Sequence, residues 1–462
     1  MADTQPSPPY PYSPDPAILT LGPGFFDPVE AADFPACRVR FFNRRWAERV
    51  GLGETDVAAH FGRFEPLPDN LPRALALRYH GHQFRHYNPD IGDGRGFLFA
   101  QLRDESGRLL DLGTKGSGQT PYSRFGDGRL TLKGGVREVL ATEMLEALGA
   151  NTSKSFALIE TGEQLQRNDE PSPTRSAVLT RLSHGHVRIG SFQRLAFIED
   201  IAGISKLVSY CLRQLFGEES DDPVRLFELV ADRTATLSAS YLAAGFVHGV
   251  LNSDNINITG ESFDYGPWRF APTWDEQFVA AYFDHNGLYA FGRQPEAIHW
   301  DLAQLGGCLA LVADGPALEE ILGGWSARFE AALFAAMVRR LGIVPDEAKD
   351  RALISTMLAV LRRQDATIDR FFFDWRGGRM ADGSGADVGK EALSELMIGR
   401  KALPGALDHD YWRDPAPCSM PIDEVEAIWA AIAEDDEWAP FEAKVAAIRR
   451  MGEAMTIAEG PP

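Results

Sequence analysis

Two periods of apolar residues run along this chain, and they change over near residue 200. Before that point, short apolar runs are bounded by Gly, Asp, Ser and Pro, which is the pattern of strands and turns. GFLFAQL at 96–102 alternates weakly, RDESG at 103–107 supplies turn residues, and RLLDLGTK at 108–115 reads as the return strand. KSFALIE at 154–160 and SAVLTRL at 176–182 read as two further strands, joined by the polar turn 167–175. Between the two pairs, the segment 134–150 sets Val136, Leu140, Met144 and Leu148 at helical spacing, with Gly149 as its C-cap. After residue 195 the texture turns helical. The stretch 225–245 predicts one long helix, and 296–460 predicts mostly amphipathic helices with polar breaks. The expected class is α+β, with a flexible Pro-rich tail over 1–17, an N-terminal region and small mixed lobe over 18–200, and a mostly helical large lobe over 201–462.

Composition narrows the function classes. Of 462 residues, 44% are hydrophobic and 24% charged, which suits a globular domain. The net charge of −20 argues against nucleic acid as a partner. Four cysteines (Cys37, Cys211, Cys308 and Cys418) form no CxxC pair, so neither a zinc ribbon nor a disulfide scaffold is expected. The N-terminal stretch lacks the charged and apolar regions of a signal peptide, and no uninterrupted apolar run approaches the ~20 residues of a membrane span. The expectation is a cytoplasmic monomer that binds neither nucleic acid nor membrane.

Candidate chemistry begins at HGVLNSDN, residues 248–255. His248 and Asn255 keep the spacing of the protein-kinase catalytic loop H-R-D-x-x-x-x-N, but Val250 fills the slot of the catalytic Asp. A carboxylate stands four residues later, at Asp254, and Asp264 in FDYG follows Asn255 by nine residues. An Asn and an Asp so separated can hold Mg²⁺ against polyphosphate oxygens. Upstream, GDGRG at 92–96 offers backbone amides and Arg95 to an anion, although a glycine cluster alone more often marks a turn. Lys115 lies between glycines, and Glu138, expected on the exposed side of its helix, follows it by 23 residues. That order matches the lysine–glutamate pair with which kinases position ATP phosphates. Arg181 and Arg188 are further phosphate candidates, and Asp127-Gly128 could face a ribose or close a turn. His80, His82 and His86 have spacing that zinc could use, but with no cysteine nearby the favoured role is to brace the nucleotide loop. A Ser-His-Asp hydrolase is excluded, because no G-x-S-x-G elbow is present.

Five long blocks sharpen this. YHGHQFRHYNPDIGDGRG, DLGTKGSGQTPYSRFGDGRLTLKGGVREVLATEML, TRLSHGHVRIGSF, HGVLNSDNINITGESFDYGP and YAFGRQPEAIHWDLAQL span about residues 70–310. In these blocks the chain resembles the selenoprotein O (SelO) family of pseudokinases. The resemblance implies a protein-kinase-like two-lobed fold that binds ATP in a flipped orientation and transfers AMP to Ser, Thr or Tyr hydroxyls of proteins. By matching motif it implies ATP contacts from Gly92, Gly94, Arg95, Lys115, Asp127, Gly128, Arg181, Arg188 and Asp264. Glu138 matches the partner of the lysine, Asp254 the catalytic base, and Asn255 and Asp264 the ligands of Mg²⁺ or Mn²⁺. The chain departs from many relatives in ending MTIAEGPP without a cysteine, so no redox switch is expected there. Two other readings stay open: an ordinary kinase, against which Val250 counts, and a non-catalytic ATP-binding scaffold, against which the intact Asn255 and Asp264 count.

Overall fold

The strand-forming runs pair into one antiparallel sheet. A computed structural model describes residues 10–168, 170–378 and 388–456. Its strands up to residue 183 are β1 (Phe26–Val29), β2 (Arg38–Phe42), β3 (Ala74–Leu77), β4 (Gly81–Gln83), β5 (His86–Asn88), β6 (Leu98–Arg103), β7 (Leu109–Lys115), β8 (Leu130–Thr131), β9 (Lys154–Leu165) and β10 (Thr174–Ser183), and a short pair, Phe246–Val247 with Arg269–Phe270, follows. The sheet runs β1-β3-β6-β7-β10-β9-β2, with β8 added to β10, while β4 and β5 form a separate hairpin. Every residue of β7 is buried, since it lies at the centre of the sheet. Its register sets Lys115 opposite Leu179 and Gly113 opposite Arg181 on β10. Two predicted site residues thus start on adjacent central strands.

Helices follow the predicted order: α1 (Arg44–Arg49), α2 (Val57–Gly62), α3 (Leu132–Ala147), α4 (Ile189–Phe197), α5 (Ile201–Tyr210), α6 (Pro223–Ala244), α7 (Gln294–Leu309), α8 (Gly315–Gly323), α9 (Trp325–Leu341), α10 (Glu347–Leu361), α11 (Ile368–Asp374), α12 (Val388–Met397), α13 (Ile422–Asp435) and α14 (Ala439–Met455). Thr131 caps α3 by accepting from the Gly134 amide at 3.1 Å. Asp222 caps α6, whose first residue is Pro223 and whose end is closed by Gly245 at φ +71°. One buried core joins α3 to the helices that follow the sheet, through residues such as Val136, Leu140, Phe192 and Phe227.

Two expectations change. Residues 10–17 are not a loose tail: Asp15 N donates to Gln101 O at 3.1 Å, Arg103 N to Ser13 O at 2.8 Å, and Arg103 Nε meets Asp15 at 2.7 Å. β3 pairs with β6 only at Leu75–Leu98, and the segment around Pro14 covers the edge that β3 leaves bare. Residues 1–9 of the expected tail lie outside the described residues. Second, Gly149, at φ +82°, stands one residue beyond the C-cap Leu148. Within Gly315–Leu341, across α8 and α9, one 18-residue window reaches a mean hydropathy of 1.2, with charged residues interrupting its apolar run. Here it packs along α6, where Trp325 Nε1 donates to Thr234 Oγ1 at 3.2 Å and Arg328 pairs with Asp232.

The end of the chain returns to the sheet side. Arg449 on α14 forks onto Glu143 of α3 at 2.8 and 2.7 Å, and Lys133 meets Glu426 of α13 at 2.7 Å. Glu143 is 3% exposed, and its other contacts are Asn43 at 3.3 Å and Arg45 at 3.9 Å. Removing one partner of a buried charge is costlier than removing both. Arg449→Ala is therefore expected to lower stability by about 1–3 kcal/mol, read by urea unfolding, with Glu143→Gln in the same chain recovering part of the loss. An unchanged midpoint would show that the fork contributes nothing.

Candidate active site

Between the sheet and the helices that follow lies a cleft of about 720 Å³. It is lined by Gly92, Gly94, Arg95, Lys115, Asp127, Gly128, Arg181, Arg188, Asp254 and Asp264, so ten predicted residues meet in one place. Glu138 and Asn255 stand just behind the lining. Glu138 is not on an exposed face: it is 0% exposed, because that side of α3 turns toward β7 and β10. Its Oε2 accepts from Lys115 Nζ at 2.6 Å and its Oε1 from Arg181 at 3.4 Å.

Asp264 faces the same two cations, 2.8 Å from Lys115 Nζ and 3.3 Å from Arg181. Its φ of +62° is a left-handed conformation that Asp tolerates better than most side chains. Burial works to raise its carboxyl, but Lys115, Arg181 and Arg95 outweigh that and hold it well below the usual carboxylate range. Arg188 reaches the site from the N-cap of α4, donating to the Asp254 carbonyl at 3.1 Å and meeting Asp93 at 3.4 Å. Its guanidinium lies 4.1 Å from the Tyr79 ring centre and 5.0 Å from that of Phe263, so planar groups fix its aim.

Asp254 is 7% exposed, and its Oδ1 has no hydrogen-bond partner. Burial pushes its carboxyl up to about 6, against the opposing pull of Arg188. A carboxylate of that basicity takes a proton from a hydroxyl more readily than a solvated one. Asn255 donates its Nδ2 to Val250 O at 2.9 Å, which commits the nitrogen and leaves the amide oxygen available. Asp264 and the Asn255 oxygen are hard donors of the kind Mg²⁺ and Mn²⁺ take, with nucleotide phosphates and water completing the set. Among the described residues no group of three or more His, Cys, Asp or Glu could hold a metal on its own.

The histidine-rich segment forms the β4–β5 hairpin, and it braces a different loop from the one expected. His82 N donates to Ser253 Oγ at 2.7 Å and Phe84 N to Asn252 Oδ1 at 3.0 Å. A Cβ at Gly81 would stand 2.8 Å from Asp254 Oδ1. The hairpin therefore supports the loop that carries Asp254, not the glycine loop. His80 turns to the Tyr87 hydroxyl at 2.8 Å and His82 to Gln193 at 2.6 Å, so neither ring converges with His86 on a metal.

The glycine loop also differs in detail. A Cβ at Gly92 would stand 2.5 Å from the Tyr122 ring, and one at Gly94 would stand 2.9 Å from Tyr122 O. These glycines let the loop that carries Asp127 fold down on the 92–96 loop, with Ser123 Oγ donating to Gly94 O at 2.5 Å. Asp127 is engaged by Arg167 at 2.8 Å and by the Arg129 amide at 3.0 Å, while Gly128 turns at φ +70°. Tyr79, Asp93, Arg124 and His186 line the cleft without having been predicted. Asp93 and His186 lie inside the quoted motifs, but their long-range partners are invisible in the chain order.

The family model described as "Protein adenylyltransferase SelO" matches residues 11–391. The "Protein nucleotidyltransferase YdiU" of a Synechocystis species is 42% identical, over 92% of this chain and 96% of its own. The protein of the same name from Synechococcus elongatus is 41% identical, over 96% of each chain. That from Rhodopseudomonas palustris is 33% identical, over 94% of this chain and 82% of its own.

Proposed function

The chain belongs to the SelO family and is a protein nucleotidyltransferase, and from that premise we propose that it moves AMP from ATP to Ser, Thr or Tyr hydroxyls of proteins. The fold is read as kinase-like, with residues 18–200 and 201–462 as its lobes and ATP lying between them.

One observation carries the orientation of the nucleotide. Lys115, Arg181, His186 and Arg188 line the cleft and are only 3–6% exposed. Lys115, Arg181 and Arg188 already face Glu138, Asp264 and Asp93. N–H groups such as Arg181 Nε still lack a partner, and an adenine face set against them would leave them unmet in a buried place, at a cost of ~2–7 kcal/mol. A polyphosphate satisfies them. The triphosphate therefore points inward, and the nucleoside lies toward the loops of Gly94 and Gly128. The α-phosphate then comes between the cations and the mouth, on the side of Asp254.

The step follows from that placement. The acceptor oxygen attacks the α-phosphorus, an O–P bond forms, the bond from phosphorus to the bridging oxygen breaks, and pyrophosphate leaves. Asp254 takes the hydroxyl proton or holds the hydroxyl in line. Lys115, Arg181 and Arg188 receive the charge that gathers on the leaving pyrophosphate. Asp264 and Asn255 would hold Mg²⁺ or Mn²⁺, which when bound supplies further neutralisation of that leaving group. Glu138 keeps Lys115 aimed.

The test uses the protein, a bacterial lysate, Mg²⁺ or Mn²⁺, and ATP labelled at the α- or the γ-phosphate. Label in protein from the α position alone is the expected result. Label from γ alone would make the protein a kinase. Absence of both with ATP still bound would make it a scaffold.

A further inference from the structure

Three buried polar atoms without a hydrogen-bond partner line this one cleft: Asp254 Oδ1, Arg181 Nε and His186 Nε2. Buried polar atoms are rarely left so, and each calls for an account. The first two belong to residues already given roles. His186 has none.

His186 is 5% exposed and held from behind. Its Nδ1 faces Asp111 Oδ2 at 3.1 Å. The other oxygen of Asp111 accepts from Gln101 Nε2 at 2.7 Å, and Gln101 Oε1 accepts in turn from the Ile18 amide at 2.7 Å. A carboxylate that receives the Nδ1 proton fixes the ring and leaves Nε2 as the free pole. That pole points past Gly113, where a Cβ would stand 2.4 Å from Nε2. The missing side chain at 113 is what makes room for the ring in this position. Around the same place, Phe263 carries His186 at 6.3 Å, Arg181 at 5.9 Å and Arg188 at 5.0 Å from its ring centre. Three nitrogen-bearing groups that line the cleft are thus gathered around one aromatic ring.

We propose that His186, positioned by Asp111, is a binding residue for the terminal phosphate of the nucleotide and makes the site selective for triphosphates over diphosphates. This rests on the inward-pointing triphosphate of the nucleotidyl-transfer reading. With its Nδ1–H given to Asp111, the ring donates from Nε2 to a phosphate oxygen as the doubly protonated imidazolium, held between two anions, and in that reading the terminal phosphate lies innermost. Asp111 touches no nucleotide in this arrangement and acts only through the ring.

The experiment compares α,β-methylene-ATP with α,β-methylene-ADP, neither of which can be consumed by transfer, by calorimetry with Mg²⁺. The parent is expected to favour the triphosphate. His186→Ala should reduce that preference about 10- to 100-fold, the range of one charge-assisted hydrogen bond, with the diphosphate little changed. His186→Gln, whose amide can stand near Nε2, should restore part of it, and Asp111→Asn should fall between. Equal weakening of both nucleotides, or no weakening of either, would overturn the proposal. If His186→Ala does not fold, His186→Gln and Asp111→Asn carry the same comparison. Transfer of α-label is scored separately, so loss of selectivity without AMP transfer would overturn the reaction while leaving the binding role standing.

Discussion

Asp264→Ala is expected to abolish labelling of protein from α-labelled ATP, with a fall of at least about 10²–10³-fold, the scale on which single electrostatic groups act in active sites. The reason lies in how many tasks meet on one carboxylate. It is 2.8 Å from Lys115 and 3.3 Å from Arg181, and in the proposed reaction it would be the charged member of the metal-donor pair with Asn255. Its removal leaves two buried cations sharing Glu138 alone and takes away the anionic ligand of any divalent ion. Ala also accepts the left-handed φ of +62° less readily than Asp. Asp264→Asn separates these effects, since Asn tolerates that backbone and keeps the shape while losing the charge. Both variants are expected to fail in transfer, and Asn is expected to melt closer to the parent. Full labelling by either would sink the assignment of Asp264.

Asp254→Asn is expected to lower the turnover number by about 10²–10⁴-fold, the usual range for a general acid or base, while nucleotide affinity changes by no more than a few-fold. Arg188 is bound to the Asp254 carbonyl and not to its carboxylate, so the substitution leaves that arginine in place. The stability of this variant moves the other way. Burial raises the Asp254 carboxyl to about 6 in the folded protein, from an ordinary value of 3.8. Deprotonation is therefore easier in the unfolded chain, and this carboxyl costs stability progressively as pH rises through that interval. Asn has no such cost, so at pH 8 the variant should be at least as stable as the parent. A slow enzyme that melts no lower would place the loss in the chemistry. A change in KM alone would remove Asp254 from the reaction.

Much of this site was legible because its residues keep a fixed order and spacing. Lys115, Glu138, Asn255 and Asp264 lie on elements whose sequence order a reader can follow, and three of them converge within 3 Å contacts along one line through Lys115. The central strands were legible for a similar reason, since turn residues bracket 96–115 on both sides. What escaped was whatever depends on a distant partner. Glu138 read as a surface residue because a helical glutamate normally is one, and its burial follows from Lys115 together with Arg181, 43 positions away. His186 read as part of a motif, while Asp111, its support, lies 75 positions earlier. Residues 10–17 read as loose because their composition is that of a tail, and only the short pairing of β3 opens a place for them.

The return of α14 to α3 bears on the moment at which the active site comes into being. Glu143 stands on the helix that carries Glu138, and its fork is supplied by Arg449, 306 positions later. Asp436 likewise bridges Arg40 of β2 and Arg175 of β10. During synthesis the sheet and α3 leave the ribosome long before these partners exist. Contacts so distant in sequence form late. The contact that steadies α3 from behind thus forms only once residue 449 has been made, and a chain cut before α14 loses that support for the helix that carries Glu138.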